Sequence, residues 1–311
     1  MNLQKKERIC NMCCLFGFYN YSGKSIGKLS KLTNSLAVQA TVRGTDASGI
    51  AYNDNGKLII HKEPKSADKI TFKHPDNTVC VTGHTRHSTQ GSHKKNYNNH
   101  PFMGRCKNTK FALAHNGVLM NDRELKLQYH LPKTKVETDS HVAVQLLEKK
   151  RTLNSESIKF MAENTEGSFA YSILDSNNTL WLIRGDSPLS LIHIPRYKLY
   201  VYASTDEILY KALVETKLFD EIKQGKFEEI QINSGDILNM LPDGTIVHDK
   251  FKYTDYSFFK CNWWDYDMER TYLEDLKSVA AHQGYSPEEV DELLNNGFTL
   301  EEVEEYLYCC E

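Results

Sequence analysis

The chain has no apolar run approaching the roughly 18 residues that a membrane-spanning helix needs. Its start, Met1 to Arg8, is too polar for a secretory signal. It also lacks net charge, with 38 Lys and Arg against 41 Asp and Glu leaving −3, so nothing electrostatic points to a nucleic-acid or membrane partner. A cytoplasmic location is the expectation. A metal framework is missing too. Cys10 and Cys13 have ligand spacing, but no second such pair and no suitably placed histidine pair completes a four-ligand set. Neither a metal nor another cofactor is expected. Eight cysteines (Cys10, Cys13, Cys14, Cys80, Cys106, Cys261, Cys309 and Cys310) are present, yet in a chain of this size without a signal peptide they should be reduced thiols rather than a disulfide scaffold.

What remains is an ordinary globular composition. With 311 residues and 40% hydrophobic content, and a mean hydropathy of −0.54, the chain can hold one large domain plus an appendage, or two modest domains. Leu15 to Tyr21 predicts a strand and Ile26 to Val42 a helix. Short strands follow at Ile50 to Tyr52 and Leu58 to His61, joined by a turn at Asn53-Asp54-Asn55-Gly56. Further strands are expected at Asn77 to Thr82 and Phe111 to Leu113, a helical middle over Thr138 to Asn164, and strands again at Phe169 to Leu174, Leu180 to Ile183, Leu189 to Ile194 and Leu199 to Tyr202. Strands, then helices, then strands indicate an α+β fold with antiparallel sheets and segregated helices.

The most informative segment is Met12-Cys13-Cys14-Leu15-Phe16-Gly17. Removal of everything before Cys13 would leave one residue holding a thiol and a free α-amine, that is, a nucleophile and its base. The thiolate is the reactive form, with a reference pKa of about 8.5 against about 7.7–8.0 for an α-amine, so the amine can take the thiol proton near neutrality. Taken alone, Cys13 could equally be a small apolar residue of a buried strand.

Further segments shift that balance. In order they are Arg43-Gly44-Thr45-Asp46-Ala47-Ser48-Gly49, Gly83-His84-Thr85-Arg86-His87-Ser88-Thr89-Gln90-Gly91, Asn99-His100-Pro101-Phe102, Ala114-His115-Asn116-Gly117 and Glu137-Thr138-Asp139-Ser140. Together with the cysteine segment they closely resemble the class II, N-terminal-nucleophile glutamine amidotransferase domain, whose members run from a pattern like MCGIFG through RG-D-S-G, GHTRW-T, N-HP, HNG and TDTE. Each motif is short; the ordered set is the signal. The resemblance continues through Glu166 to Ala170, Ile183 to Leu189, Ala203-Ser204-Thr205-Asp206 and Ser234-Gly235-Asp236, and so covers about Cys13 to Lys250.

The resemblance implies a four-layer αββα sandwich and hydrolysis of the glutamine side-chain amide. Cys13 would attack the carboxamide carbon to form a γ-glutamyl thioester. The Asn116 side-chain amide and the Gly117 backbone N–H would receive the developing negative charge. Arg86 would clamp the α-carboxylate and Asp139 the α-ammonium, with Thr89 and His100 also lining the substrate site. Arg43 and Asp46 would brace the backbone as structural support. The segment Gln90 to Asn99 would fold over glutamine as a lid. For Asn116, the Asn-Gly pair is also a common turn former.

Two departures stand out. Cys14 occupies a position where many members have glycine, and His87 replaces an aromatic residue. Residues 1–12 are read as a leader or a mis-assigned start, because they would turn the Cys13 amine into an amide. Familiar members fuse this domain to a synthase that consumes the ammonia, and nothing after Lys250 is long enough to be one. The expected partners are therefore L-glutamine and an acceptor enzyme on a separate chain. Two other readings stay open: a hydrolase of a γ-glutamyl or other small amide, and a catalytically silent binding relative.

Residues 251–311 form a third region. An aromatic segment, Phe251 to Tyr266, is expected to lie on the sandwich surface. After it come two short helices, opened by the capping boxes Ser286-Pro287-Glu288-Glu289 and Thr299-Leu300-Glu301-Glu302 and separated by Gly297. Such short helices need a surface to pack on, and an acidic hairpin of this kind is a candidate docking element.

Overall fold

The computed structural model describes residues 12–216, 220, 223–254, 273, 276–277, 280, 285–300 and 302–303. Two compact units divide at Thr254 and Asp255. Numbered in chain order, thirteen strands of the first unit form two sheets. The seven-stranded sheet runs β11 (Glu228–Ile230), β9 (Ser190–Ile194), β10 (Leu199–Ala203), β1 (Cys14–Asn20), β4 (Cys80–Arg86), β2 (Ala47–Asp54), β3 (Lys57–Glu63). The six-stranded sheet runs β13 (Ile246–Lys250), β12 (Asp236–Met240), β8 (Leu180–Arg184), β7 (Gly167–Asp175), β6 (Thr109–Leu119), β5 (Phe102–Cys106). Every neighbouring pair is antiparallel.

Side-chain alternation separates the layers. In β1, Cys14, Phe16 and Phe18 point to a cluster shared with helix α1 (Leu29–Gln39) and helix α5 (Asp206–Val214). Leu15 and Tyr19 point the other way, to a cluster that also takes in Ala112, Ala114, Ala170, Leu180 and Leu182 of the second sheet. The second sheet sends Leu113, Phe169, Tyr171 and Ile183 outward against helices α3 (His141–Lys150) and α4 (Ser155–Asn164) and Leu125 of α2 (Asp122–Gln128). The layers are thus helix, sheet, sheet, helix, the αββα sandwich. Each buried Leu or Phe contributes about 1.5–3 kcal/mol, and a one-residue slip would turn all of these out of their clusters.

Several expectations shift. The helical middle is built of two helices. Arg151 ends α3 in a left-handed conformation (φ 62°), and Asn154 restarts the chain as α4 through a capping box with Ser157. The strand expected at Asn77 to Thr82 lies at Cys80–Arg86 instead, so Gly83 to Arg86 is sheet and the loop begins afterwards. Asn116-Gly117 is no turn. Both residues sit within β6, paired with Ala170 and Phe169, because the neighbouring strand supplies the ladder that overrides the local turn preference.

Phe251 and Tyr253 pack against the cluster under α3 and α4; the remainder of the aromatic segment lies outside the described residues. The second unit has its own small core of Leu276, Ala280, Val290 and Val303. Its helix α6 (Pro287–Asn295) is opened by the Ser286–Glu289 capping box, and Thr299 with Glu302 makes the same reciprocal pair.

Candidate active site

Alternation also brings the motif residues to one end of the space between the sheets. Cys13 immediately precedes β1, Arg86 is the last residue of β4, Ser204 follows β10, and Asn116 lies near the end of β6. Antiparallel register sets these ends side by side, since Phe16 pairs with Ala203 and Cys14 with Thr85.

Cys13 is partly buried. Its Sγ donates to the His87 carbonyl at 3.4 Å, and its own carbonyl accepts from Arg43 Nε at 3.0 Å. Burial pushes the thiol up to about 11, and the Asp139 carboxylate adds to the rise, while the His87 contact and the Arg86 cation pull the other way. At pH 7 a thiol of pKa 11 is ionised to roughly one part in ten thousand, so nucleophilic chemistry here needs a base. Asp46 joins the same corner: its carboxylate accepts from Ser88 N at 2.7 Å and its backbone N–H donates to the Arg86 carbonyl at 3.0 Å.

Arg86 is 3% exposed. Nη1 donates to Asn99 Oδ1 at 2.7 Å, and Nη2 donates to the carbonyls of Gln90 and Gly91, each at 2.6 Å. A carboxylate bound by this guanidinium would compete with those loop carbonyls. Asn99, fully buried, is itself held by donation to His93 O at 2.8 Å and Asn96 Oδ1 at 3.1 Å. The segment 90–99 is also tied across to residues 137–139: Asn98 Oδ1 accepts from Glu137 N at 2.9 Å, and Gln90 Oε1 accepts from Asp139 N at 2.8 Å. Thr89 is exposed.

Asp139 is buried, with Oδ2 accepting from Leu119 N at 2.7 Å and Oδ1 from Ser140 Oγ at 3.2 Å. His115 Nδ1 lies 2.8 Å from the same Ser140 oxygen. Because the serine proton goes to Asp139, His115 is the donor there, so the imidazole, the hydroxyl and the carboxylate form one directional chain. Gly117 has φ +140°, and a Cβ there would lie 1.9 Å from Ser168 O, so only glycine fits.

Behind Arg86, His100 lies in a buried cluster of rings. Its ring centroid is 4.2 Å from His84 and 4.3 Å from Phe102, and both ring nitrogens are buried without a protein partner. His84 Nε2 is 2.9 Å from the His115 carbonyl. A carbonyl can only accept, so His84 carries its proton on Nε2. Burial, with Arg86, His115 and Lys62 nearby, drives His84 down to about 3 and His100 well below the ordinary histidine range. Lys62, pushed down to about 8 by burial and by Arg86, donates to the carbonyls of Asn99 and Pro101.

The sequence motifs therefore supply Cys13, Arg86, Asn116, Gly117 and Asp139 at one end of the cleft, with Arg43 and Asp46 beside Cys13. They assigned no role to Ser204, and they named Gln90 and Asn99 only as the bounds of the expected lid segment. Ser204 was legible only as part of the Ala203 to Asp206 segment. Among the described residues no group of three or more His, Cys, Asp or Glu could hold a metal ion, and no helix is long and apolar enough to cross a membrane.

The sandwich thus sets Cys13 at the head of a central strand of one sheet and Asn116 within a strand of the other. Residues 84–211 match the family described as a glutamine amidotransferase domain. Among curated relatives it is 26% identical over 244 residues to a 7-cyano-7-deazaguanine synthase of Saccharolobus solfataricus, covering 74% of this chain and 50% of that one. It is 30% identical over 188 residues to a glutamine–fructose-6-phosphate aminotransferase (isomerizing) of Staphylococcus epidermidis, covering 57% and 30%. The solved glutamine phosphoribosylpyrophosphate amidotransferase of B. subtilis shares the fold, with TM-score 0.58 and 21% identity over 78% of this chain and 50% of that one. The chain thus spans half or less of the length of these relatives.

Proposed function

We propose that the first unit hydrolyses the side-chain amide of L-glutamine through a Cys13 γ-glutamyl thioester and passes the ammonia to an acceptor on a separate polypeptide. The observation that carries this reading is the surroundings of one thiol. Cys13 lies within electrostatic reach of both a buried cation, Arg86, and a buried carboxylate, Asp139. That pair suits the two charged ends of a free α-amino acid. Neither charge would be needed for a peptide or a simple amide.

In this mechanism residues 1–12 are absent from the active form, and the freed α-amine of Cys13 is the base. The amine takes the thiol proton as sulfur attacks the carboxamide carbon. The amide oxygen becomes an oxyanion held by Asn116 and Gly117. As the C–N bond breaks, the ammonium returns its proton to the departing nitrogen, releasing ammonia and leaving the thioester. Water, activated by the same amine, then hydrolyses the thioester to glutamate and restores the thiol. The thiol must stay reduced throughout, which fits a cytoplasmic protein.

The test is a glutaminase assay combined with labelling by a glutamine-analogue electrophile and intact-mass measurement of the active species. Ammonia release with label on Cys13 is expected, together with a mass lacking residues 1–12. Replacing the nucleophile, Cys13→Ala, should lower turnover by about 10⁴-fold or more. Full activity from a chain that still carries Asn2, or from the alanine variant, overturns the mechanism. Labelling with another preferred amide would redirect the substrate.

A further inference from the structure

We infer that Ser204 is a positioning residue for this reaction, its hydroxyl orienting the Asn116 carboxamide so that Oδ1 faces the serine and both Nδ2 hydrogens face the cleft. The inference rests on the proposed hydrolysis and deepens it.

Ser204 is fully buried, and its Oγ accepts from Leu15 N at 2.9 Å. Leu15 returns the contact with its carbonyl, which accepts from Ser204 N at 2.9 Å, so the serine is locked to β1 two residues beyond Cys13. Its Oγ also meets Asn116 Nδ2 at 3.3 Å, while Asn116 Oδ1 is buried with no partner. In that arrangement the serine oxygen accepts twice. The Cys14 sulfur also lies within hydrogen-bond reach of the serine hydroxyl, but sulfur is a weak acceptor. Two groups, the serine proton and the amide oxygen, are then left poorly used.

The two ends of a carboxamide have the same shape and differ only in their hydrogen bonding, so bond accounting decides which end faces which neighbour. Turned by 180°, the amide oxygen accepts the serine proton, and Ser204 accepts once from Leu15 and donates once to Asn116. The group left over is now the NH₂, on the side where Oδ1 had no partner. An unmet donor at the end of the cleft is what an oxyanion requires, and a buried orphan is the expected mark of such a role. Ser204 thereby links the backbone beside the nucleophile to the amide proposed to receive the charge.

Neutron diffraction from a deuterium-exchanged crystal reads the carboxamide directly. Deuterons on the cleft side of Asn116 and one between Ser204 Oγ and Asn116 Oδ1 are expected; deuterons of Asn116 pointing at Ser204 overturn the inference whether or not the protein hydrolyses glutamine. A glutaminase double-mutant cycle supplies the second test. Ser204→Ala should lower kcat by about 5- to 30-fold, the range of one hydrogen bond, with KM nearly unchanged, and Ser204→Thr should recover most of it. In an Asn116→Ala background the same serine change should cost less than about twofold. Equal losses in both backgrounds would mean that Ser204 acts on the fold alone. If the wild-type protein releases no ammonia while the deuterons lie as expected, the hydrolysis reading falls and the orientation of Asn116 stands.

Discussion

The two sheets contribute to the cleft in different ways. The seven-stranded sheet presents Cys13, Arg86 and Ser204 at or just beyond strand ends. The six-stranded sheet presents Asn116 and Gly117 inside an uninterrupted strand, each paired to a residue of β7. A ladder residue has little freedom, and its orientation is set before any substrate arrives. Stabilising a charge that exists only in a transition state demands such rigidity. Capturing and releasing a substrate demands the opposite, and Arg86 is bonded to the carbonyls of a loop. The contrast is sharpest in Asn116→Ala, which should reduce kcat by about 100–1000-fold while KM moves little. A large rise in KM with kcat preserved would place Asn116 on the binding side and break the division.

The sheets are also joined across their otherwise apolar interlayer by a row of polar contacts. Thr82 Oγ1 meets Ser172 Oγ at 2.6 Å, and His84 Nε2 donates to the His115 carbonyl at 2.9 Å. The histidine contact is acid-sensitive. The folded pKa of His84 is depressed to about 3, below the unfolded value of about 6.5, so between these values the unfolded chain binds the additional proton. Stability from His84 is therefore present above pH 6.5 and is lost as pH falls toward 3. Between pH 7 and pH 5 the loss should be about 2 kcal/mol, with His100 acting in the same direction. Urea denaturation at both pH values measures it, and a His84→Gln variant should flatten the slope. An unchanged midpoint between pH 7 and pH 5 would mean that the interlayer histidines titrate normally.

Local signals carried much of this architecture into the sequence, and their failures have physical causes. The Asn53 to Gly56 turn was legible because Asn55 and Gly56 adopt the positive φ values, 48° and 72°, that asparagine and glycine tolerate. The break at Arg151 was not, because an arginine in the left-handed region carries no composition signal, and the restart at Asn154 uses a serine in place of the usual acidic partner. The turn offered as the alternative for Asn116-Gly117 does not form, because residue preference is local while the pairing with β7 is not. The site residues were visible as motifs, each within a few consecutive positions. Ser204 was not visible in its role, since its two contacts join residues 189 and 88 positions away. The register of β10 against β1 brings Leu15 to it, and the packing of the two sheets brings Asn116.

The smallest expected effect tests the adjustable side of the cleft. Arg86 holds three acceptors with two nitrogens, Asn99 on one and two loop carbonyls on the other. A lysine keeps the charge but offers one ammonium in place of a planar fork, so it cannot hold the Asn99 oxygen and both carbonyls in the same geometry. Arg86→Lys should therefore raise KM for glutamine by about tenfold, with kcat less affected, and should expose segment 90–99 to faster proteolysis because its carbonyl anchors are weakened. The two readouts should move together. A raised KM with unchanged cleavage would mean that Arg86 meets the substrate without holding the loop; faster cleavage at unchanged KM would mean the reverse.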